Sequence, residues 1–154
     1  MTPQTDLATT DRELLVTRIF DAPRALVFRA WTEPERAASW WGPQGFTTLS
    51  CRMDVRAGGG FRVSARAPDG TVHCKSGIYR EVVVPERLVF TYGWEDAQGG
   101  LGHEMLVTVT FAEHGDRTRL TLHQTNFESV AARDAHLAGW TSCLERFAGY
   151  LANT

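Results

Sequence analysis

At 154 residues the chain is long enough to bury one continuous core without disulfide or metal staples, and it matches a single domain of the commonest size. It is 43% hydrophobic and 22% charged, with a net charge of −2 and a pI near 6.2, so nothing draws it to phosphate backbones or anionic lipid, and nucleic acid is not expected as a partner. No apolar run approaches the roughly 18 residues of a membrane span, and MTPQTDLATTDRE lacks the basic start and apolar core of a secretory signal, which predicts a cytoplasmic protein with no membrane partner.

Residues 1–11 are polar, Thr-rich and aperiodic, and read as a flexible leader ahead of one domain over 12–154. ELLVTRIF is a strand-like run of branched and aromatic residues, after which DAPRALVFRAW changes period and puts Leu26, Val27, Ala30 and Trp31 on one helical stripe. Thr32 and Glu35 have capping-box spacing and Pro34 suits a first turn, so a second short helix is expected from Thr32 to just before Pro43. From 47 to 124 the pattern is almost all strand, with Gly-rich turns at AGGG (57–60), APDG (67–70), DAQGG (96–100) and EHGD (113–116) marking hairpin connections, and six strands are expected over this region.

Period-two alternation places Phe61, Val63 and Ala65, then Leu88, Phe90, Tyr92 and Trp94, then Val107, Val109 and Phe111, then Leu120 and Leu122 on one apolar face. Arg62, Arg66, Thr108, Thr110, Arg119 and Thr121 take the other face. The final segment, ESVAARDAHLAGWTSCLERFAGYLANT, is an amphipathic helix of about 25 residues and roughly 37 Å, with His136, Trp140, Cys143, Phe147 and Leu151 on its apolar stripe. Strands segregated from helices make an α+β two-layer domain. A curved sheet under one helix leaves a concavity that the helix alone does not fill.

The segments TRIFDAPRALVFRAWTEPERAASWWGP, GIYREVVVPERLVFTYGWED, VTVTFAEHGDRTRLTL and HLAGWTSCLERFAGYL occur in this order within residues 12–152. Together they closely resemble the bacterial proteins called activator of heat-shock protein 90 ATPase homologue-like, a branch of the START-like (SRPBCC, birch-pollen-allergen-like) superfamily. The resemblance implies a helix-grip fold: a curved seven-stranded antiparallel sheet around a long C-terminal helix, two short helices after strand 1, and a hydrophobic tunnel between sheet and helix. It implies no single activity, because the fold serves lipid carriers, hormone receptors and polyketide cyclases alike. The eukaryotic chaperone activator also carries a separate chaperone-binding domain, for which the sequence read here leaves no room, so the family name is not taken as an activity.

Five histidines, His73, His103, His114, His123 and His136, form no HxH, HxxxH or HExxH pair, and no metal or cofactor is expected. Cys51, Cys74 and Cys143 are odd in number and lack CxxC spacing, which predicts reduced structural thiols. There is no GxSxG, and RAGGGF and DAQGGLG join strand to strand, so neither offers a helix N-terminus to a phosphate. His136, Glu104 and Tyr79 are the candidate acid–base groups, with Glu81 a further carboxylate of unfixed strand phase.

Trp40 and Trp41 stand side by side at a helix exit before Gly42 and Pro43; adjacent helical residues diverge by about 100°, so one indole is expected to plug the core and the other to wall or gate a cavity. The leading expectation is a domain that binds a small hydrophobic molecule in a cavity lined by Trp40, Trp41, Phe61, Tyr79, Phe90, Tyr92, Trp94, Val107, Val109, Leu122, His136, Trp140 and Phe147. One alternative is a cyclase, dehydratase or hydrolase acting on an aromatic or polyketide-like substrate in the same cavity. Another is a co-chaperone or regulatory interaction module, which predicts an exposed apolar patch. A sheet edge leaves a homodimer open.

Overall fold

The computed structural model describes residues 12–96, 100 and 102–154, together with the backbone of 5–10. The chain runs β1 (Thr5–Thr10), β2 (Glu13–Phe20), α1 (Arg24–Thr32), α2 (Pro34–Ala37), β3 (Thr47–Met53), β4 (Gly60–Arg66), β5 (Val72–Val83), β6 (Arg87–Trp94), β7 (Met105–His114), β8 (Arg117–Thr125) and α3 (Val130–Ala152). The eight strands form one antiparallel sheet in the order β1-β2-β8-β7-β6-β5-β4-β3. Only the passage from β2 to β3 crosses the sheet, and α1 and α2 make it. This is the helix-grip architecture, with α3 gripped by the sheet.

Two expectations are corrected. The segment 1–11 is not wholly a leader: Thr5–Thr10 pairs antiparallel with β2, Thr5 opposite Arg18 and Thr10 opposite Glu13, and adds an edge strand to the seven expected. TDLATT has no apolar alternation because an edge strand can be held by its backbone ladder alone. Thr32 does not cap a second helix. It is the last residue of α1, its hydroxyl donates back to the Phe28 carbonyl at 2.9 Å, and Glu33 stands at the start of an α2 only four residues long. The DAQGG turn falls largely outside the described residues.

The alternation read from sequence sets the packing. Phe61, Val63, Leu88, Phe90, Tyr92, Val107, Val109, Phe111, Leu120 and Leu122 are all buried, while Arg66, Thr110 and Arg119 on the opposite face are exposed. Ser129 starts α3, its hydroxyl accepting the Ala132 amide at 3.0 Å, and Trp140, Cys143, Leu144, Phe147 and Leu151 form the helix's buried stripe.

Pairing between β5 and β6 is interrupted at Gly77 and Ile78. There the Thr91 hydroxyl takes the Ile78 amide at 2.8 Å, and a Cβ on Gly77 would lie 1.8 Å from the Thr91 carbonyl oxygen. Only glycine admits so close a backbone approach. Beyond this break, Lys75 pairs opposite Trp94 and Ser76 opposite Gly93.

A cavity between the helix and the outer half of the sheet

A cavity of about 220 Å³ lies between the first half of α3, the β5–β6 pair and the segment after α2. Trp41, Gly42, Pro43 and Phe46 form one wall, Lys75, Tyr92 and Trp94 the sheet side, and Ala135, His136, Gly139, Trp140 and Cys143 the helix side. Its room comes from small residues. Ala135 and Gly139 offer almost no side chain one turn apart on α3, and Gly42, at φ +93°, turns the chain directly after Trp41.

The helix expected to run to Pro43 ends at Ala37, so the paired tryptophans lie in the turn after α2, and they still divide between core and cavity. Trp40 is fully buried, its indole N–H donating to the Ala30 carbonyl at 3.1 Å and its ring 4.4 Å from that of Phe147. It plugs the core. Trp41 is the cavity wall, set edge-on to Trp140 at 6.0 Å. Arg146 donates to the carbonyls of Trp41 at 3.2 Å and Pro43 at 3.4 Å, and the Ser142 hydroxyl accepts the Gln44 amide at 2.9 Å, so the tryptophan turn is tied to α3.

Trp140 is oriented from behind. Its indole N–H donates to Gln124 Oε1 at 2.7 Å, and the fully buried Gln124 turns its amide nitrogen to Met105 Sδ at 3.3 Å. The indole plane facing the cavity is thereby fixed by a residue two strands away from β6.

His136 is half-buried and engaged at both ring nitrogens. The Trp94 indole N–H, which can only donate, reaches Nε2 at 3.2 Å, so Nδ1 carries the proton and donates to the Ala132 carbonyl at 2.9 Å. Burial lowers its pKa, the Ala132 carbonyl opposes that, and the nearby Lys75 charge lowers it further. The neutral ring's one lone pair is spoken for by Trp94, which leaves no free base at this position.

Lys75 is the residue that pattern reading passed over, and it is the sequence's only lysine among 16 lysines and arginines. It lies on the inward phase of β5 with His73, Gly77 and Tyr79, and directly opposite Trp94. Its ammonium sits 4.4 Å from the Trp94 ring centre and 5.6 Å from that of Tyr92. Among the described residues no carboxylate comes within salt-bridge distance of it; the adjacent Glu95 instead takes Arg62 of β4 at 2.9 Å. Burial lowers the amine from 10.5 to about 8. Two sequence signals mark it: a lone lysine in an arginine-rich chain, and a charge on the buried phase of a strand.

The other expected positions lie elsewhere. Of the thirteen lining residues expected, Trp41, Tyr92, Trp94, His136 and Trp140 reach the cavity. Val107, Val109, Leu122, Phe147 and Trp40 are closed into the core without exposure, and Phe61, Tyr79 and Phe90 pack on one another at 5.3 to 5.9 Å. The buried Tyr79 phenol is pushed far up in pKa, chiefly by desolvation. Glu104 is exposed and 3.9 Å from Arg80, and Glu81 pairs with Arg87. Cys143 borders the cavity as a thiol pushed up to about 11 by burial, and Cys51 is raised likewise. Among the described residues no three His, Cys, Asp or Glu side chains gather as a metal-binding group, and no helix is long and apolar enough to cross a membrane.

The same arrangement of strands and gripped helix recurs in solved structures. A protein from Chromobacterium violaceum is 28% identical with a TM-score of 0.78, covering 90% of this chain and 95% of its own. A Silicibacter pomeroyi protein described as AHSA1 is 26% identical with a TM-score of 0.83, covering 91% and 97%. One from Arthrobacter aurescens, at 23% identity and a TM-score of 0.84 over 97% and 92%, shares the fold. No curated protein matches the chain. The model of the family described as activator of Hsp90 ATPase homolog 1-like protein matches residues 21–152, and the chain belongs to that family.

Proposed function

We propose that this protein binds a small hydrophobic molecule, and that the site is the cavity walled by Trp41, Tyr92, Trp94 and Trp140. The observation that carries the reading is a cavity of about 220 Å³ bounded mainly by aromatic faces. For scale, a dry cavity of about 150 Å³ already holds benzene. Apolar pockets with few polar groups are the usual form of small-molecule sites.

The alternatives have less to stand on. Acid–base catalysis by the expected residues would use His136, whose nitrogens are both engaged, Glu104, which is exposed, or Tyr79, which is packed in the core. A protein-interaction module favours a contiguous apolar patch, whereas the exposed large apolar residues among those described, Leu49, Val72, Ile78, Val84 and Val130, are spread over β3, β5, the turn after it and the start of α3.

The test is native mass spectrometry of the protein incubated with a library of one- and two-ring aromatic compounds, beside a Gly139→Leu variant. Gly139 borders the cavity and a Cβ there meets only the Pro43 ring, at 4.0 Å, so the variant fills the cavity without disturbing the backbone. The expected result is a one-to-one adduct on the parent protein that the variant loses. An unliganded parent protein, or an adduct that survives in Gly139→Leu, overturns the reading.

A further inference from the structure

The cavity holds one group that a purely apolar ligand leaves unanswered. Lys75 is the only charged residue bordering it, it is half-buried, and it has no carboxylate partner among the described residues. Charges withdrawn from water are ordinarily paired, because the desolvation penalty is otherwise uncompensated. The two ring faces at 4.4 and 5.6 Å relieve the ammonium only in part.

The groups facing it do not supply a negative charge. From α3 come the Cys143 thiol, raised to about 11, and His136, whose lone pair is held by Trp94. From β6 comes the Tyr92 phenol, raised well above its usual value by burial and without a protein hydrogen-bond partner among the described residues. His73, two residues along β5, lies edge-on to Trp94 at 5.5 Å, and Arg146 adds further positive charge behind the Trp41 turn. The cavity is therefore an aromatic-walled apolar space with a single cation in its side.

We propose that the molecule bound here is an aromatic monocarboxylate, its ring against the indoles of Trp41 and Trp140 and its carboxylate paired with the Lys75 ammonium. The inference rests on the cavity being a ligand site and adds the ligand's charge and shape. One ammonium and no arginine in the lining suit a single negative charge. A phosphate ester, with its dianion and three strong acceptor oxygens, favours the forked donors of arginine or a row of backbone amides. Aromatic walls, which offer both ring faces and ring edges, favour a planar ring over a branched aliphatic chain.

The experiment compares 2-naphthoate with its neutral isostere 2-naphthamide, by calorimetric titration into the parent protein and Lys75→Met at neutral pH. The expected result is at least tenfold tighter binding of the acid to the parent protein, and loss of that preference in Lys75→Met with amide binding retained. The preference in the parent protein is informative even if the variant folds poorly. Equal affinity for acid and amide in the parent protein overturns the carboxylate inference and leaves the cavity reading standing. Binding of neither compound to the parent protein, together with an unliganded parent protein in the library experiment, removes both.

Discussion

Replacing Lys75 by methionine should stabilise the protein at neutral pH, and the gain should disappear in alkali. The amine titrates at about 8 in the folded chain against 10.5 unfolded, chiefly because burial disfavours its charged form. At 1.36 kcal/mol per unit this is a penalty of about 3 kcal/mol on the ammonium. That midpoint is already net of the contacts with Trp94 and Tyr92, so up to about 3 kcal/mol is released by the substitution.

The sign follows from proton counts. Below pH 8 both folded and unfolded amines are charged and the whole penalty is felt. Between about 8 and 10.5 the folded amine releases its proton while the unfolded amine keeps it, so the parent protein gains stability with rising pH relative to the variant. Above that window the difference is flat. Urea unfolding of both proteins at about pH 7 and about pH 10 reads it directly. Because the sequence has one lysine, ¹³C-lysine labelling gives a single side-chain signal whose titration needs no assignment. A midpoint at or above about 10, or a variant less stable than the parent at neutral pH, refutes the reasoning.

Three further outcomes are expected. Gln124→Leu leaves the Trp140 indole N–H buried without its acceptor and should cost about 1–3 kcal/mol, measured as a lower urea midpoint, with weaker naphthoate binding because the Trp140 wall loses its anchor. Gly77→Ala puts a Cβ 1.8 Å from the Thr91 carbonyl oxygen and should cost about 3 kcal/mol or more, seen as a large fall in melting temperature; a near-neutral result would mean that the β5–β6 break is not so close. His136 is held neutral with a lowered pKa, so acidification through 6.5 protonates the unfolded ring first and the parent protein loses stability. His136→Gln should lose less over that range, and equal acid sensitivity of the two in urea unfolding would count against the Trp94–His136 contact.

Much of the architecture was legible because alternation and helical stripes survive into burial. Phe61 to Leu122 face the core as their period predicts, and the α3 stripe gains only Leu144. Signals failed where local chemistry had a competitor. Thr32 had a capping position available but bonds back within α1, and TDLATT entered the sheet through backbone pairing that leaves no mark in side-chain type. The cavity list was too long because facing inward is a property of one strand, whereas leaving a gap is a property of two layers. Phe90 packs against Phe61 two strands along the sheet and Phe147 against Trp40, but Trp41 faces Gly139, where α3 has nothing to offer. Lys75 was missed because a charged residue inside an alternating strand is read as a break in the pattern and not as a feature of the buried face.

Trp41 and Trp140 belong at once to the cavity wall and to the tryptophan cluster, where Trp31 lies 5.6 and 6.1 Å from them. Exchanging either one disturbs the cluster that holds the molecule together, so these walls are poor places for selection to explore new ligands. Phe46, Ala135 and Gly139 also border the cavity but are only partly buried or exposed, and none belongs to the cluster. Divergence of binding preference among descendants of this chain should therefore concentrate at these three positions, while the indole frame changes slowly and together.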